Sequence, residues 1–154
     1  METQKSVVDS LNDLLRENCD AKRGYSKAAE QLDIPALKGL FMNLSEQRDN
    51  FKKIIREEVL SLGGEPQVFR HIDGPIQDAF SRPELLSALN TIEKTLDGCL
   101  RMEVANLQRL KQRLAQYEVK ESTHQVLTGQ LENIKLTLTD IKALSTEKEA
   151  ALNF

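Results

Sequence analysis

Gly63-Gly64 and Ser81-Arg82-Pro83-Glu84 bracket a stretch of chain whose length decides the topology. Glycine takes the left-handed conformation that closes a helix, and Pro66 follows as a stop signal should. The Ser81 to Glu84 box, with proline in the first turn, is a helix start. The connection 63–81 is therefore long. The other two breaks, at Asp33-Ile34-Pro35 and between Tyr117 and Ser122, are short. A short loop forces antiparallel neighbours, whereas a long one lets the chain travel the length of a bundle. The long connection is also too apolar for a floppy linker, because it carries Val68, Phe69, Ile72, Ile76 and Phe80. It reads as a packed crossover, with a short helical piece after Asp73-Gly74-Pro75.

Four helices at about 3–32, 35–62, 82–117 and 122–146 account for the rest, and 1–154 reads as a single domain. Each shows apolar residues at the i, i+3/i+4, i+7 spacing of one buried face. The first uses Val7/Val8, Leu11, Leu14/Leu15, Asn18, Tyr25 and Ala28/Ala29. The second uses Leu37, Leu40/Phe41, Leu44, Arg48, Phe51, Ile54/Ile55 and Val59. The third uses Leu85/Leu86, Leu89, Ile92, Leu96, Cys99, Glu103, Leu107, Leu110 and Leu114. The fourth uses Leu127, Leu131, Ile134, Leu138, Ile141 and Leu144. The tail STEKEAALNF keeps helical composition and is expected to fray. Helices of this length reach roughly 42 Å at 1.5 Å per residue. The expected fold is all-α: a ferritin-like four-helix bundle with one long crossover between helices 2 and 3.

Composition narrows the function classes. A net charge of −3 with mixed signs lacks the basic footprint of a nucleic-acid binder. The polar start METQKSVVDS lacks a signal-peptide core, and no stretch approaches the ~20 apolar residues of a membrane span. The expectation is a cytoplasmic protein with neither nucleic acid nor membrane as partner. Cys19 and Cys99 lie within helical patterns and read as buried reduced thiols.

The polar residues on the apolar seams carry the chemistry. Arg48 falls between Leu44 and Phe51, Glu103 falls seven residues from both Leu96 and Leu110, and Asn18 lies midway between Leu11 and Tyr25. Ferritin-like metal proteins instead place two Glu and two Glu-x-x-His sets at mid-bundle. One carboxylate, one amide and one guanidinium do not hold two metal ions, and arginine does not ligate. Arg48 is expected to neutralise Glu103 across the bundle with Asn18 nearby. The alternative is that Arg48 and Glu103 sit off the seam and snorkel to water. No metal or other cofactor is expected. A weaker alternative metal set is Glu17, Glu103, Glu121 and His124, since Glu121-Ser122-Thr123-His124 is a formal Glu-x-x-His at a helix start. His71 beside Asp73 reads as structural or exposed. Leu136 lies off the main stripe of helix four and hints at a homodimer contact.

The segments LNDLLRENCDAKRGYSKAAEQL (11–32), LGGEP (62–66) and IKAL (141–144) resemble an uncharacterised bacterial family of ferritin-like four-helix-bundle proteins, a domain of unknown function. The resemblance runs through the chain in order. It implies the bundle fold and no established activity. Where that family tends to carry Glu-Asp in helix three, this chain has Leu96-Asp97. Glu103 stands in place of a tyrosine, Leu138-Thr139 in place of His-Asp, and Phe80 in place of a tryptophan. The expected function is a non-catalytic scaffold, partner-binding or stress-associated bundle. The alternatives are an atypical metal protein of iron handling or oxidation, and a small-molecule carrier with a large apolar cavity.

Overall fold

The computed structural model describes residues 2–31, 35–70, 74, 101–105, 108–112, 115 and 120–152. Three long helices are α1 (Glu2–Gln31), α2 (Pro35–Ser61) and α4 (Glu121–Leu152). Helical residues 101–105 and 108–112 belong to α3. The helix start at 81–84, the second part of the crossover and Cys99 lie outside the described residues. The last helix runs on to Leu152, past the expected end at 146. Its final turns, STEKEAAL, are rich in Ala, Glu, Lys and Leu, which are strong helix formers.

The core is the expected apolar stripe. Leu11, Leu14 and Leu15 of α1 meet Phe51, Ile55 and Val59 of α2, Leu110 of α3, and Leu127 and Ile134 of α4. Ile54, paired with Ile55 in the sequence reading, is exposed instead.

Cross-helix contacts fix the directions. Tyr25 stacks on Phe41 and Lys22 pairs with Asp49, so α1 and α2 are antiparallel. Tyr25 meets Glu103 and Glu17 meets Arg109, so α3 also runs against α1. Glu58 meets Thr123 and Gln47 meets Thr137, so α4 runs against α2. Hence α3 runs parallel to α2, which requires the chain to cross the bundle between them. This is the ferritin-like connection.

The crossover begins in a tight cap. Gly63 sits at φ 77°, and its N–H donates to Leu60 O at 3.0 Å while that of Gly64 donates to Val59 O at 2.9 Å. These two bonds form a Schellman motif, which satisfies carbonyls that a helix end leaves open. A Cβ on Gly64 would lie 2.7 Å from Val8 of α1, so the turn packs directly on the first helix.

From there α1 holds the crossover along its own length. Asn12 Nδ2 donates to Glu65 O at 3.2 Å, and Asn12 Oδ1 accepts from Gln67 N at 3.0 Å. Arg23 donates to the carbonyls of Phe69 and Arg70. Gly74 lies on Asp20 so closely that a Cβ there would fall 2.1 Å from the carboxyl carbon. Side chains of α1 thus supply the backbone partners that an irregular segment cannot make for itself.

Candidate functional site: a buried ion pair and its tyrosine

Arg48 reaches the bundle interior from the middle of α2, carried there by the helical period that also buries Leu44 and Phe51. It is 4% exposed, and Glu103 of α3 is fully buried. Arg48 Nη2 donates to Glu103 Oε2. The Tyr25 hydroxyl of α1 donates to the other oxygen, Oε1. Three helices therefore converge on one carboxylate. Neither Arg48 nor Glu103 snorkels to water. A buried carboxylate is costly unless its charge is matched and its lone pairs are used, and both conditions are met here.

Asn18 lies elsewhere in the core. Its Nδ2 donates to Leu14 O at 2.8 Å, and its amide exchanges hydrogen bonds with Gln130 of α4 at 3.2 and 3.5 Å. The sequence reading put Leu131 and Leu138, not Gln130, on the inner stripe of α4. Gln130 is 1% exposed and Leu138 is half-buried, so the seam is turned by one position. The buried positions are Thr123, Leu127, Gln130, Ile134, Thr137 and Ile141, a strict alternation of four and three. Leu131 and Leu138 flank that seam. Every seventh residue is polar, and each has a partner: Thr123 with Glu58, Gln130 with Asn18, Thr137 with Gln47.

Asp20 and Glu58 are also buried carboxylates, and the sequence reading missed Glu58. It accepts from Ser122 Oγ at 2.9 Å and from Thr123 Oγ1. It thereby sits at the first turn of α4, where a helix carries partial positive charge and open N–H groups. Glu121 and His124 are exposed on that same turn. Glu58 lies ten residues, roughly 15 Å, along α2 from Arg48. Glu17 pairs with Arg109 Nε at 3.2 Å. The structure does not gather Glu17, Glu103, Glu121 and His124 into one place. Among the described residues, no three His, Cys, Asp or Glu side chains are positioned to share a metal ion.

On the outer side of the α1–α2 hairpin, Asp49 collects three lysines: Lys22 at 3.3 Å, Lys53 at 3.6 Å and Lys52 at 3.7 Å. Burial on its own raises the Asp49 carboxyl. The Lys22 hydrogen bond and the charges of Lys22, Lys52 and Lys53 outweigh it and hold the group below the usual carboxylate range.

Residues 6–116 match the family model described as a domain of unknown function, DUF2383. The chain belongs to the DUF2383 family. The matched span contains α1 from residue 6 on, α2 and the described part of α3, with all three members of the Tyr25–Glu103–Arg48 group. The α1 segment that carried the resemblance supplies Asn12, Asp20 and Arg23, which hold the crossover, and Tyr25. The DUF2383 chain is also similar in fold to the bacterioferritin-related protein from Bacteroides fragilis, described as a dodecameric thioferritin. The TM-score is 0.74 at 17% identity, over 97% of this chain and 90% of that one. No curated protein matches the sequence. Among the described residues of this DUF2383 protein, no helix is long and apolar enough to cross a membrane.

Proposed function

We propose that this DUF2383 protein is a non-catalytic, cytoplasmic, homo-oligomeric bundle, a scaffold or partner-binding protein of stress-associated type. In this reading an ion pair fills the interior where a ferritin-like metal protein holds its ions. The supporting observation is the occupancy of Glu103: Arg48 takes one carboxylate oxygen and Tyr25 the other. A cation at Glu103 would have to displace a guanidinium that cannot lose its charge. The buried polar positions of α4 are Thr123, Gln130 and Thr137, and hydroxyls and amides are poor partners for a di-iron centre.

The alternative is a metal-dependent protein of iron handling or oxidation. What favours it is the similarity in fold to the Bacteroides fragilis protein, which is described as a thioferritin. Metal content decides between the two, measured by mass spectrometry on protein purified without chelator and re-equilibrated anaerobically with ferrous iron. The non-metal reading expects less than about a tenth of an equivalent of iron, manganese and zinc. About two equivalents, the complement of a di-metal bundle site, that disappear in Glu103→Gln would overturn it.

A further inference from the structure

The link between α3 and α4 differs in sequence from the other two. Asp33-Ile34-Pro35 and Gly63-Gly64 carry residues that break a helix. Tyr117-Glu118-Val119-Lys120 carries no Gly, Pro, Asn, Asp or Ser. Lys120 directly precedes α4 and is not a capping residue type. Its carbonyl accepts from His124 N at 2.9 Å, a bond that it would keep inside a continuous helix. The hydroxyls of Ser122 and Thr123 donate to Glu58 of α2 instead of to their own helix. The start of α4 is therefore held by contact with another helix rather than by a stop in its own sequence.

The seam that α4 covers is also suited to parting. Three of its six buried positions are polar, Thr123, Gln130 and Thr137. Their partners Glu58, Asn18 and Gln47 stand on α1 and α2. Water satisfies such groups while a seam is open, and interfaces that part and re-form carry more polar area than a core does. When the seam closes, the same partners select a helix with a hydroxyl, an amide and a hydroxyl at intervals of seven.

We infer that α4 is exchanged between two copies of the chain: α3 runs on through 117–120 into α4, and α4 of each copy fills the other's seam. The inference rests on the homo-oligomer reading above and names its surface. The structure itself shows what the seam accepts, and every copy carries an identical α4. Each seam keeps the contacts it makes within one chain, so the exchange gives up no packing. What it removes is a short connection written without turn residues, and short connections of that kind invite exchange.

The test uses the full chain. Isotope-labelled and unlabelled chains are mixed in urea and refolded together at high concentration, and the assembled species is separated by size. Isotope-filtered NMR then reads contacts between chains. The inference expects an assembly larger than 17.4 kDa in which Gln130 of one copy lies against Asn18 of another. It also expects Val119→Pro to raise the dissociation constant of that assembly at least about a hundredfold, because proline breaks a continuous helix. A surface contact between closed bundles would not feel that substitution. A monomer at every concentration would overturn both this inference and the homo-oligomer reading. An assembly whose Gln130–Asn18 contacts all lie within one chain, or whose association Val119→Pro leaves unchanged, would overturn the exchange alone. Should Val119→Pro fail to fold, the contacts in the parent decide.

Discussion

Glu103 shows how a buried charge is kept at tolerable cost. Its interior position is acceptable only because two helices bring donors to its two oxygens. Removing one partner leaves an uncompensated buried charge, whereas replacing the pair with packed apolar groups removes the desolvation cost as well. Arg48→Met is therefore expected to cost about 3–5 kcal/mol in urea unfolding. The double variant Arg48→Met/Glu103→Leu should recover most of that loss. If the double were as damaged as the sum of the singles, the two side chains would not be acting as a unit. The outer carboxylate Asp49 gives a second expectation. Its folded value lies below its unfolded one, so its stabilisation is present above the unfolded value of about 3.9 and fades as pH falls through the folded one. Its pairs are solvent-screened, so Asp49→Asn should cost below about 1 kcal/mol at pH 7. Thermal unfolding at pH 7 and pH 3 should show that difference shrinking in acid. Arg48 and Glu103 were legible in the sequence because a charge on an apolar stripe is conspicuous. Tyr25 was read as part of the apolar face. Its ring does pack on Phe41, and nothing in a 3.6-residue period says where a hydroxyl will find an acceptor 78 positions away.

The elements themselves were read from punctuation and period. Apolar residues of α1 and α2 fall where the stripe puts them, because burial of a wide apolar face dominates helix placement. The last helix was read one position off because Leu131 and Leu138 outweighed their polar neighbours. The decisive signal was there: Thr123, Gln130 and Thr137 recur every seven residues, interleaved with Leu127, Ile134 and Ile141. A seam with polar groups at one of its two positions is hard to read from hydrophobicity alone. Asn12, Arg23 and Glu58 were missed for a related reason, since their partners are backbone atoms or hydroxyls set by tertiary structure. The Gly63-Gly64 pair was read as a stop, and the structure divides the labour between them. Gly63→Ala meets only backbone strain, at roughly 1–2 kcal/mol. Gly64→Ala must displace Val8, an α1 residue, and should cost more. Chemical denaturation of the two variants separates conformational strain from steric packing. An equal cost in both would mean that Val8 yields freely.

Across the whole molecule, the hairpin of α1 and α2 and the last helix are held by different means. The hairpin shares an apolar interface near its crossover end, where Leu11, Leu14 and Leu15 meet Phe51, Ile55 and Val59, and the crossover strap closes that end. Three of the six seam positions of α4 are instead polar, and hydrogen bonds yield less net stabilisation than buried methyl groups. Native-state hydrogen exchange should therefore show amides of α4 between Thr123 and Ile141 opening at lower free energy than those of α2 between Leu44 and Val59. Asn18→Leu/Gln130→Leu should narrow that gap. Equal protection across both helices in the parent would mean that the bundle opens only as one unit. The topology followed from the lengths of three connections, and directions from cross-helix pairs match it. What lengths could not supply was the path of the crossover, which depends on Asn12, Asp20 and Arg23 of α1, residues that an apolar stripe does not single out.

The order in which the chain is made gives the ion pair a further consequence. Arg48 precedes Glu103 by 55 positions. At synthesis rates of about 5–20 residues per second, that interval is roughly 3–11 s. Asn12 finds its partners at Glu65 and Gln67 well before Glu103 exists. The nascent hairpin can therefore acquire its strap while its central guanidinium still lacks an anion. Closing over that cation would strand it, so the hairpin is expected to stay wet at Arg48 until the third helix leaves the ribosome. The arginine that completes the finished interior thus delays the drying of the unfinished one.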